Sequence, residues 1–426
     1  MIIMDPLSRQ WFFFFSPTKD PCLFFGDRVT FILYLILPSG RGPFKEAYPM
    51  EKDLVAVLGG GNGGHAVAGE LSLAGSKVNF FELPQFAASF ERVLRTKEVR
   101  TEGISGEGVA KLNLATTDIG QAIKEVEVVF VITPAFGHRT MAEVCAPFVQ
   151  DGQIFVLMPG SGGSLEFVKI FREKKVKKDY AVAESVTLPY GARLKSPGHV
   201  SLFINALILP TGVFPSKRTN EVIPRLKAFY PTILPAKDVL EAAINNPNPV
   251  VHPASTVLSS TRIEHSKGEF YLYAEGMTPS VARTFESLNQ ERLSICDALG
   301  YKLYHWDNLD FKNYSLGETE EECRYRILNT SMDAAFGKDG IYAGMKMKGP
   351  EHLKDRYITE DVPYGMVLLS TLGDLLNIPT PTHDAIIPLA SGINRTDYWK
   401  NGRGVKELGL SKFDKQGLKK YLLEGK

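Results

Sequence analysis

The chain has 426 residues, of which 44% are hydrophobic and 23% are charged, and its formal net charge is +1. These values are typical of a globular protein with two or three domains, and they lack the basic excess that nucleic-acid binding requires. The cysteines show no CxxC pair and no metal-ligand spacing, so we expect reduced thiols, a cytoplasmic location and no metal site. The four cysteines are Cys22, Cys145, Cys296 and Cys323.

Residues 1–49 differ in composition from the rest of the chain. They are rich in aromatic residues, and their longest apolar run, VTFILYLIL, is far shorter than the roughly 20 residues that cross a bilayer. No small-residue cleavage site follows an uninterrupted apolar core, which argues against a signal peptide. We predict that the functional protein begins near Met50 and that residues 1–49 are an extension that need not be translated; a membrane-associating segment is the alternative.

The segment DLVAVLGGGNGGHAVAGELSLAGSKVNFFEL predicts a dinucleotide-binding unit. An apolar strand, LVAVL, precedes Gly59, Gly61 and Gly64 of a G-x-G-x-x-G motif that also contains Asn62, and a helical pattern and a second strand follow. Such glycines allow a tight turn close to a pyrophosphate, and the helix N-terminus attracts its negative charge. The alternative is a turn in which the glycines serve packing alone.

Glu82 ends the second strand, 23 residues after Gly59. A carboxylate at this distance is expected to accept hydrogen bonds from the adenosine ribose. Because it would also repel a 2′-phosphate, we predict NAD as the preferred cofactor, with NADP as the alternative.

Further apolar stretches alternate with helical patterns and predict a doubly wound parallel sheet, an α/β Rossmann domain over residues 50–232. Ligands bind at the carboxyl ends of such strands, so Thr133, Pro134 and residues 160–163 are predicted around the nicotinamide, with simple turn chemistry as the alternative. The stretches are EVVFVITPAF, GQIFVLMPGSGGSLEF, YAVAESVTLPYGAR and VSLFINALILPTG.

Residues 233–426 predict an all-α C-terminal domain. ARTFESLNQERLSICDALG is typical of a long amphipathic helix that ends at Gly300. In NPVVHPASTV, Asn248 is the predicted N-cap of another helix, with Pro249 in the first helical position. His252, four residues after Asn248, shares its helix face and is a candidate proton donor; a structural histidine is the alternative.

The stretch DRYITEDVPYGMVLL supplies charged groups just before an apolar helix. Arg356 is a forked donor suited to a substrate carboxylate, although it also fits an ordinary surface charge. Asp361, which follows Glu360, is suited either to bind a histidine or to cap the helix.

With these residues in place, the sequence resembles the opine dehydrogenases, the octopine/nopaline dehydrogenase family. The resemblance covers nearly everything after residue 50 and rests on GGGNGGHAVA, NNPNPVVHP and RYITEDVPYG in this order. It implies a Rossmann domain followed by an all-helical domain, with substrates between them. Members of the family reductively condense an amino acid with a 2-oxo acid, such as pyruvate, using NADH or NADPH, and yield an N-(carboxyalkyl) amino acid.

The resemblance also implies roles for particular residues. His252 resembles the catalytic histidine, Asp361 its carboxylate partner, Arg356 the arginine that orients the 2-oxo acid, and Asn248 a substrate-contacting asparagine. We expect small-molecule substrates and a homodimer, with no nucleic-acid or membrane partner. The alternatives are a carbonyl reductase of the glycerol-3-phosphate dehydrogenase or ketopantoate reductase type, with Lys237 as its lysine, and a nucleotide-binding sensor without turnover.

Overall fold

The computed structural model describes most of the chain after residue 52 and two short stretches before it. The chain divides into one unit of residues 1–40 and another of residues 41–426. The described residues are 2–4, 11–13, 53–104, 106–206, 208–272, 275–276, 278–303 and 349–426.

Only a small part of the N-terminal extension is described. Its two strands, β1 (Ile2–Met4) and β2 (Trp11–Phe13), pair in antiparallel orientation. The predicted start of the functional protein at Met50 lies outside the described residues, as do Cys22 and Cys323.

The second unit holds the remaining strands and all described helices, numbered here in chain order. The strands are β3 (Leu54–Leu58), β4 (Lys77–Phe81), β5 (Glu98–Gly103), β6 (Gly108–Lys111), β7 (Leu114–Thr116), β8 (Val128–Val131), β9 (Gln153–Leu157), β10 (Tyr180–Ser185), β11 (Tyr190–Ser196), β12 (His199–Asn205), β13 (Leu209–Phe214) and β14 (Ile233–Pro235). The helices are α1 (Asn62–Leu73), α2 (Ala87–Thr96), α3 (Ile119–Ile123), α4 (His138–Cys145), α5 (Gly163–Glu173), α6 (Thr219–Lys227), α7 (Val239–Ile244), α8 (Asn248–Leu258), α9 (Ser260–Ser266), α10 (Pro279–Leu299), α11 (Arg356–Thr359), α12 (Val367–Leu376), α13 (Pro381–Asn394), α14 (Tyr398–Asn401) and α15 (Lys415–Glu424). Val362–Met366 form a π-helical turn between α11 and α12.

An eight-stranded sheet of order β14-β13-β10-β9-β8-β3-β4-β7 forms the centre of the predicted Rossmann domain. Its strands are parallel except where β13 meets β10. Successive residues such as Val57 and Leu58 lie in different apolar clusters, one on each face of the sheet. Burial on both faces explains why the central strands are continuous apolar runs. The predicted doubly wound sheet is confirmed.

A second sheet of order β11-β12-β5-β6 packs beside α1. Two of the apolar stretches identified in the sequence therefore each contribute two strands. VSLFINALILPTG contributes β12 to this second sheet and β13 to the main one, and YAVAESVTLPYGAR likewise contributes β10 and β11 to different sheets. Alternation of apolar residues does not reveal where a chain leaves one sheet for another, since both strands are half or fully buried.

The described helices after β14 pack mainly around α8. Val250 and Ala254 of α8 share a buried cluster with Ile358, Val362 and residues of α10 and α13. The long helix α10 ends at Gly300, which has a φ of 71°, as predicted. The helical second domain is thereby confirmed for the described residues after β14, whereas β14 itself (Ile233–Pro235), at the predicted start of that domain, pairs with β13 in the main sheet. None of the helices in the described ranges combines the length and hydropathy of a membrane-spanning segment.

The C-terminal helix returns to the sheet domain. Leu418, Tyr421 and Leu422 of α15 belong to the apolar cluster on one face of the main sheet. The rings of Tyr421 and Phe214 lie 5.1 Å apart, and Arg172 donates a hydrogen bond to the Tyr421 hydroxyl at 3.1 Å. The segment predicted as helical domain thus contributes its last helix to the core of the other domain.

Candidate active site

The glycines between β3 and α1 serve different purposes. Gly59 has a φ of +109°, and a Cβ on it would lie 2.4 Å from the Ile132 carbonyl oxygen. A Cβ on Gly64 would lie 1.7 Å from the Gly59 carbonyl oxygen, so both positions require glycine for packing. A Cβ on Gly61 would meet no atom within 4 Å. Gly61 is therefore where the backbone is open to a ligand, which is the arrangement that a bound pyrophosphate requires.

Glu82 lies beside this loop. Its carboxylate accepts hydrogen bonds from the Gly60 N–H at 2.7 Å and from the Leu83 N–H at 2.6 Å. Asn62 begins α1, and its side-chain oxygen accepts a hydrogen bond from the Leu194 N–H of β11 at 2.9 Å. Glu82 is thus held at the end of β4 next to the glycine turn. The Asn62 side chain links the N-terminus of α1 to β11 of the second sheet.

Thr133 and Pro134 follow β8 directly. Thr133 packs against Gly59, because a Cβ on that glycine would lie 2.9 Å from Thr133 Cγ2. The Thr133 hydroxyl is buried and has no hydrogen-bond partner among the described residues. Buried hydroxyls are nearly always satisfied in native proteins, so this atom fits a site that a bound nucleotide completes.

The turn after β9 is built around a buried carboxylate. Glu184 of β10 accepts hydrogen bonds from the Gly162 N–H at 2.7 Å, and from the Ser164 hydroxyl at 2.5 Å. A Cβ on Gly160 would lie 2.1 Å from Glu184 Cδ, so only glycine fits there. Burial raises the pKa of Glu184, although these donors and the nearby Arg403 oppose the shift. The predicted residues 160–163 therefore lie at the carboxyl end of the sheet in a fixed turn.

Helix α8 begins differently from the prediction. Asn248 is the first helical residue rather than the N-cap, which is Pro247, and no side chain caps the helix in that position. Pro247 already has helix-like dihedral angles, with φ of −77° and ψ of −20°, so the helix begins one residue earlier in the chain than predicted. The Asn248 N–H is satisfied instead by the side-chain oxygen of Asn246, at 3.1 Å. The N-cap prediction for Asn248 was wrong.

Asn246, which sequence reasoning missed, joins α8 to the turn after β9. Its side-chain nitrogen donates to the Ser161 hydroxyl at 2.9 Å. Its backbone carbonyl oxygen accepts a hydrogen bond from Arg292 of α10 at 3.2 Å. The repeated asparagines of NNPNP, where the helix begins, are the local signal that could have indicated this role.

His252 and Asp361 meet across 109 residues of sequence. His252 Nδ1 and Asp361 Oδ2 lie 2.7 Å apart, and the two side chains are 15% and 10% exposed. The Asp361 side chain caps no helical N–H. The Tyr357 ring stacks on the imidazole at a centroid distance of 4.1 Å and an angle of 20°. When the imidazole is neutral, this hydrogen bond assigns the ring proton to Nδ1, so Nε2 is the nitrogen suited to exchange protons with a substrate.

The close approach of α8 to the π-helical turn brings this pair together. Gly365 lies in that turn, and a Cβ on it would lie 2.1 Å from Pro249 Cγ. Because Pro249 is one turn before His252 on α8, the missing side chain of Gly365 lets the histidine reach Asp361. Single π-helical turns within helices are frequent at functional sites. Sequence reasoning did not predict this contact.

Arg356 lies in the turn before Asp361 and pairs with Glu360. Its guanidinium contacts Glu360 Oε2 at 2.7 Å, while the side chain remains 55% exposed. Burial would lower the pKa of Arg356, but the carboxylates of Glu360 and Asp361 outweigh this effect and raise it. Arg356 is therefore charged and partly accessible, as a clamp for a substrate carboxylate must be.

A second arginine, which is buried, joins the turns of the sheet domain to the helical segment. Arg403 forms an ion pair with Glu166 at 2.8 Å and donates to the carbonyl oxygens of Gly160, Ser161 and Ala135, at 3.0, 2.8 and 3.3 Å. It thus fixes the turns after β8 and β9 to the segment that follows α14. Lys237, the candidate of the carbonyl reductase alternative, instead donates to the Gly300 carbonyl oxygen at 3.3 Å, at the C-terminal end of α10.

Comparison with known proteins identifies the family. Residues 235–394 match the family model for the NAD/NADP octopine/nopaline dehydrogenase α-helical domain, and residues 55–208 match that for ketopantoate reductase PanE/ApbA. The opine dehydrogenase of Arthrobacter sp. (strain 1C) is 33% identical over 373 residues, which are 87% of this chain and 99% of the relative. This chain belongs to the opine dehydrogenase family.

Solved structures share the fold. An octopine dehydrogenase, solved with NADH and pyruvate, matches with a TM-score of 0.67 at 22% identity, over 88% of this chain and 98% of that one. A yersinopine dehydrogenase with NADP+ bound matches with a TM-score of 0.63 at 14% identity, over 88% of this chain and 98% of that one. As a member of the family, the chain is an NAD(P)-dependent oxidoreductase that reductively condenses an amino acid with a 2-oxo acid.

Proposed function

We propose that this enzyme prefers NAD and condenses an amino acid with pyruvate or a similar 2-oxo acid, using His252 as acid–base group, Asp361 as its partner and Arg356 as the carboxylate clamp. The observation that carries the proposal is the 2.7 Å contact between His252 Nδ1 and Asp361 Oδ2. Histidines paired in this way with a buried carboxylate are typical of sites that transfer protons near neutral pH.

The proton transfers fall to His252. Condensation of an amine with a 2-oxo acid releases water and gives an imine, and protonation of the imine nitrogen makes its carbon electrophilic. His252 Nε2 supplies and removes protons in these steps, while Asp361 fixes the tautomer and stabilises the imidazolium, as the carboxylate of a catalytic triad does. The stacked Tyr357 ring restricts the imidazole to one plane. The reduced nicotinamide, when bound, supplies the hydride that the electrophilic carbon accepts.

Arg356 and Asn248 orient the substrate. The guanidinium binds the carboxylate of the 2-oxo acid with forked hydrogen bonds, which fix the plane of the reacting carbonyl group. Asn248 lies one helical turn before His252 on α8 and shares its helix face. We assign its amide to hold a polar group of the same substrate. Fixing both ends removes most of the rotational freedom that would otherwise slow the reaction.

Residues of the sheet domain would hold the cofactor. Gly59, Gly61, Gly64 and Asn62 form the turn for the pyrophosphate, and Thr133 and Pro134 line the nicotinamide half. The Glu82 carboxylate would accept hydrogen bonds from the ribose hydroxyls and would repel a 2′-phosphate, which favours NAD over NADP. One related structure contains NADH and another contains NADP+, so family membership alone does not decide between the two.

A substrate matrix tests the proposal. The purified protein is mixed with NADH, pyruvate or another 2-oxo acid, and a panel of amino acids, and NADH absorbance is followed. We expect oxidation only when amine and 2-oxo acid are both present, with a higher kcat/KM for NADH than for NADPH. Oxidation with the 2-oxo acid alone would indicate a carbonyl reductase, and tight NADH binding without turnover in any mixture would contradict the proposal.

We also propose that the enzyme works in the cytoplasm as a homodimer. Cys145 and Cys296 are both free and buried, which suits a reducing compartment. Light scattering of the purified protein measures the assembly, and a monomer at working concentration would contradict it.

A further inference from the structure

We propose that Glu360 is a positioning residue that sets the distance between the 2-oxo acid clamp and the nicotinamide side of the cleft. The inference rests on the proposed function, because it assumes that Arg356 binds the substrate carboxylate. It adds a residue that neither the sequence pattern nor the family resemblance assigned to a role.

Glu360 uses its two carboxylate oxygens for the two halves of the site. Oε2 binds the Arg356 guanidinium at 2.7 Å, and Oε1 accepts a hydrogen bond from the Ala135 N–H at 2.9 Å. Ala135 follows Thr133 and Pro134 at the carboxyl end of β8. One side chain therefore joins the clamp in the helical domain to the turn that lines the nicotinamide site.

The chemistry of this bridge requires a carboxylate of glutamate length. Both partners are donors, and Glu360 is buried, so each oxygen must accept. Burial raises the pKa of Glu360, whereas the charge of Arg356 and the Ala135 N–H oppose the shift. Glutamine offers one oxygen and one NH₂ group, so it would leave one of the two donors facing another donor. Aspartate is shorter by one methylene and cannot span both contacts.

The bridge predicts a particular kinetic effect. A substrate carboxylate held by a displaced Arg356 places the reacting carbon away from the hydride donor, and a misplacement of about 1 Å costs on the order of 100-fold in rate. The substrate would also bind less tightly, because the guanidinium is no longer fixed. Glu360 binds Ala135, two residues beyond Thr133, which packs against Gly59 of the pyrophosphate turn. NADH affinity should therefore change less than KM for pyruvate does. A residue with a merely structural role would, when replaced, lower the stability of the protein without this selective effect on kcat and on KM for pyruvate.

The experiment compares Glu360→Gln and Glu360→Asp with the matched control Glu291→Gln. Glu291 is also a buried glutamate of the helical half, and it binds His383 Nδ1 at 2.6 Å. Each variant is assayed with NADH, pyruvate and the best amino acid of the matrix. The measurements are kcat, KM for pyruvate, the isotope effect with NADH deuterated at C4, NADH binding by fluorescence, and Tm.

We expect both Glu360 variants to lose roughly 10- to 100-fold in kcat, with a higher KM for pyruvate, a larger isotope effect and a smaller change in NADH affinity than in KM for pyruvate. Glu291→Gln should lower Tm but keep wild-type kinetics. Wild-type kinetics in Glu360→Gln, or equal kinetic losses in Glu291→Gln, would overturn this inference but leave the proposed function standing. A wild-type enzyme without two-substrate turnover would refute the proposed function, and the inference with it.

Discussion

Replacing Gly365 by alanine perturbs the catalytic pair without touching it. A Cβ at this position would lie 2.1 Å from Pro249 Cγ, whereas ordinary contact begins at 3.4 Å. Helix α8 and the π-helical turn must therefore separate by about 1.3 Å to accommodate the new methyl group. Because Pro249 and His252 lie one turn apart on α8, most of this displacement reaches the imidazole and stretches its 2.7 Å contact with Asp361.

The expected losses follow from that displacement. Misplacing a reacting group by about 1 Å lowers the rate on the order of 100-fold, so we expect kcat of Gly365→Ala to fall by about that factor. Overpacking a buried contact costs roughly 1–3 kcal/mol, which lowers the free energy of unfolding by the same amount. NADH affinity should stay unchanged, since the glycine turn that binds the pyrophosphate belongs to the sheet domain.

A matched variant separates this effect from the general effect of an alanine in a helix. Gly392 lies within α13, and a Cβ there would meet no atom within 4 Å. Gly392→Ala should therefore keep wild-type kcat and stabilise the protein by about 0.5–1 kcal/mol, because alanine is the better helix former. Both variants are assayed by NADH absorbance with pyruvate and amino acid, and their stability is measured by denaturant unfolding. Wild-type kcat in Gly365→Ala would refute the view that its missing side chain positions His252.

Two further substitutions test separate parts of the structure. Arg356→Ala should raise KM for pyruvate by roughly 10- to 100-fold through loss of charge-assisted hydrogen bonds, with NADH binding retained; unchanged KM and kcat would contradict the clamp. Burial raises the pKa of Asp238 from 3.8 to about 6, so its ionisation costs more in the folded state than in the unfolded state. The free energy of unfolding should therefore fall by up to about 3 kcal/mol as pH rises from about 4 to about 6. Asp238→Asn, whose amide oxygen still accepts the Leu240 N–H, should lack this decrease in denaturant titrations; identical pH profiles would exclude Asp238 as its source.

The sequence was most informative where local rules determine the structure. The order of strand, glycine turn, helix and acidic residue predicted the first unit of the sheet, and the structure places Glu82 beside the turn as expected. The structure separates the glycines, since packing requires Gly59 and Gly64, whereas Gly61 is open. Spacing alone could not separate them, because a turn and a binding loop use the same residue type.

Contacts between distant segments could not be predicted from local patterns. Sequence spacing gives no reason for His252 to meet Asp361, and the family resemblance, rather than periodicity, indicated the pair. Glu360 and Asn246 were missed because their partners, Ala135 and Ser161, lie on turns of the other domain. Such bridges depend on how two domains pack, which one-dimensional patterns do not encode.

The central claim is that the His252 imidazole transfers the protons of the condensation. His252→Ala, compared with the wild type in NADH, pyruvate and the best amino acid, tests it most directly when turnover and NADH binding are measured on the same sample. We expect turnover to fall by about 10²- to 10⁴-fold while NADH still binds. Turnover close to that of the wild type would contradict the claim and remove the histidine from the mechanism.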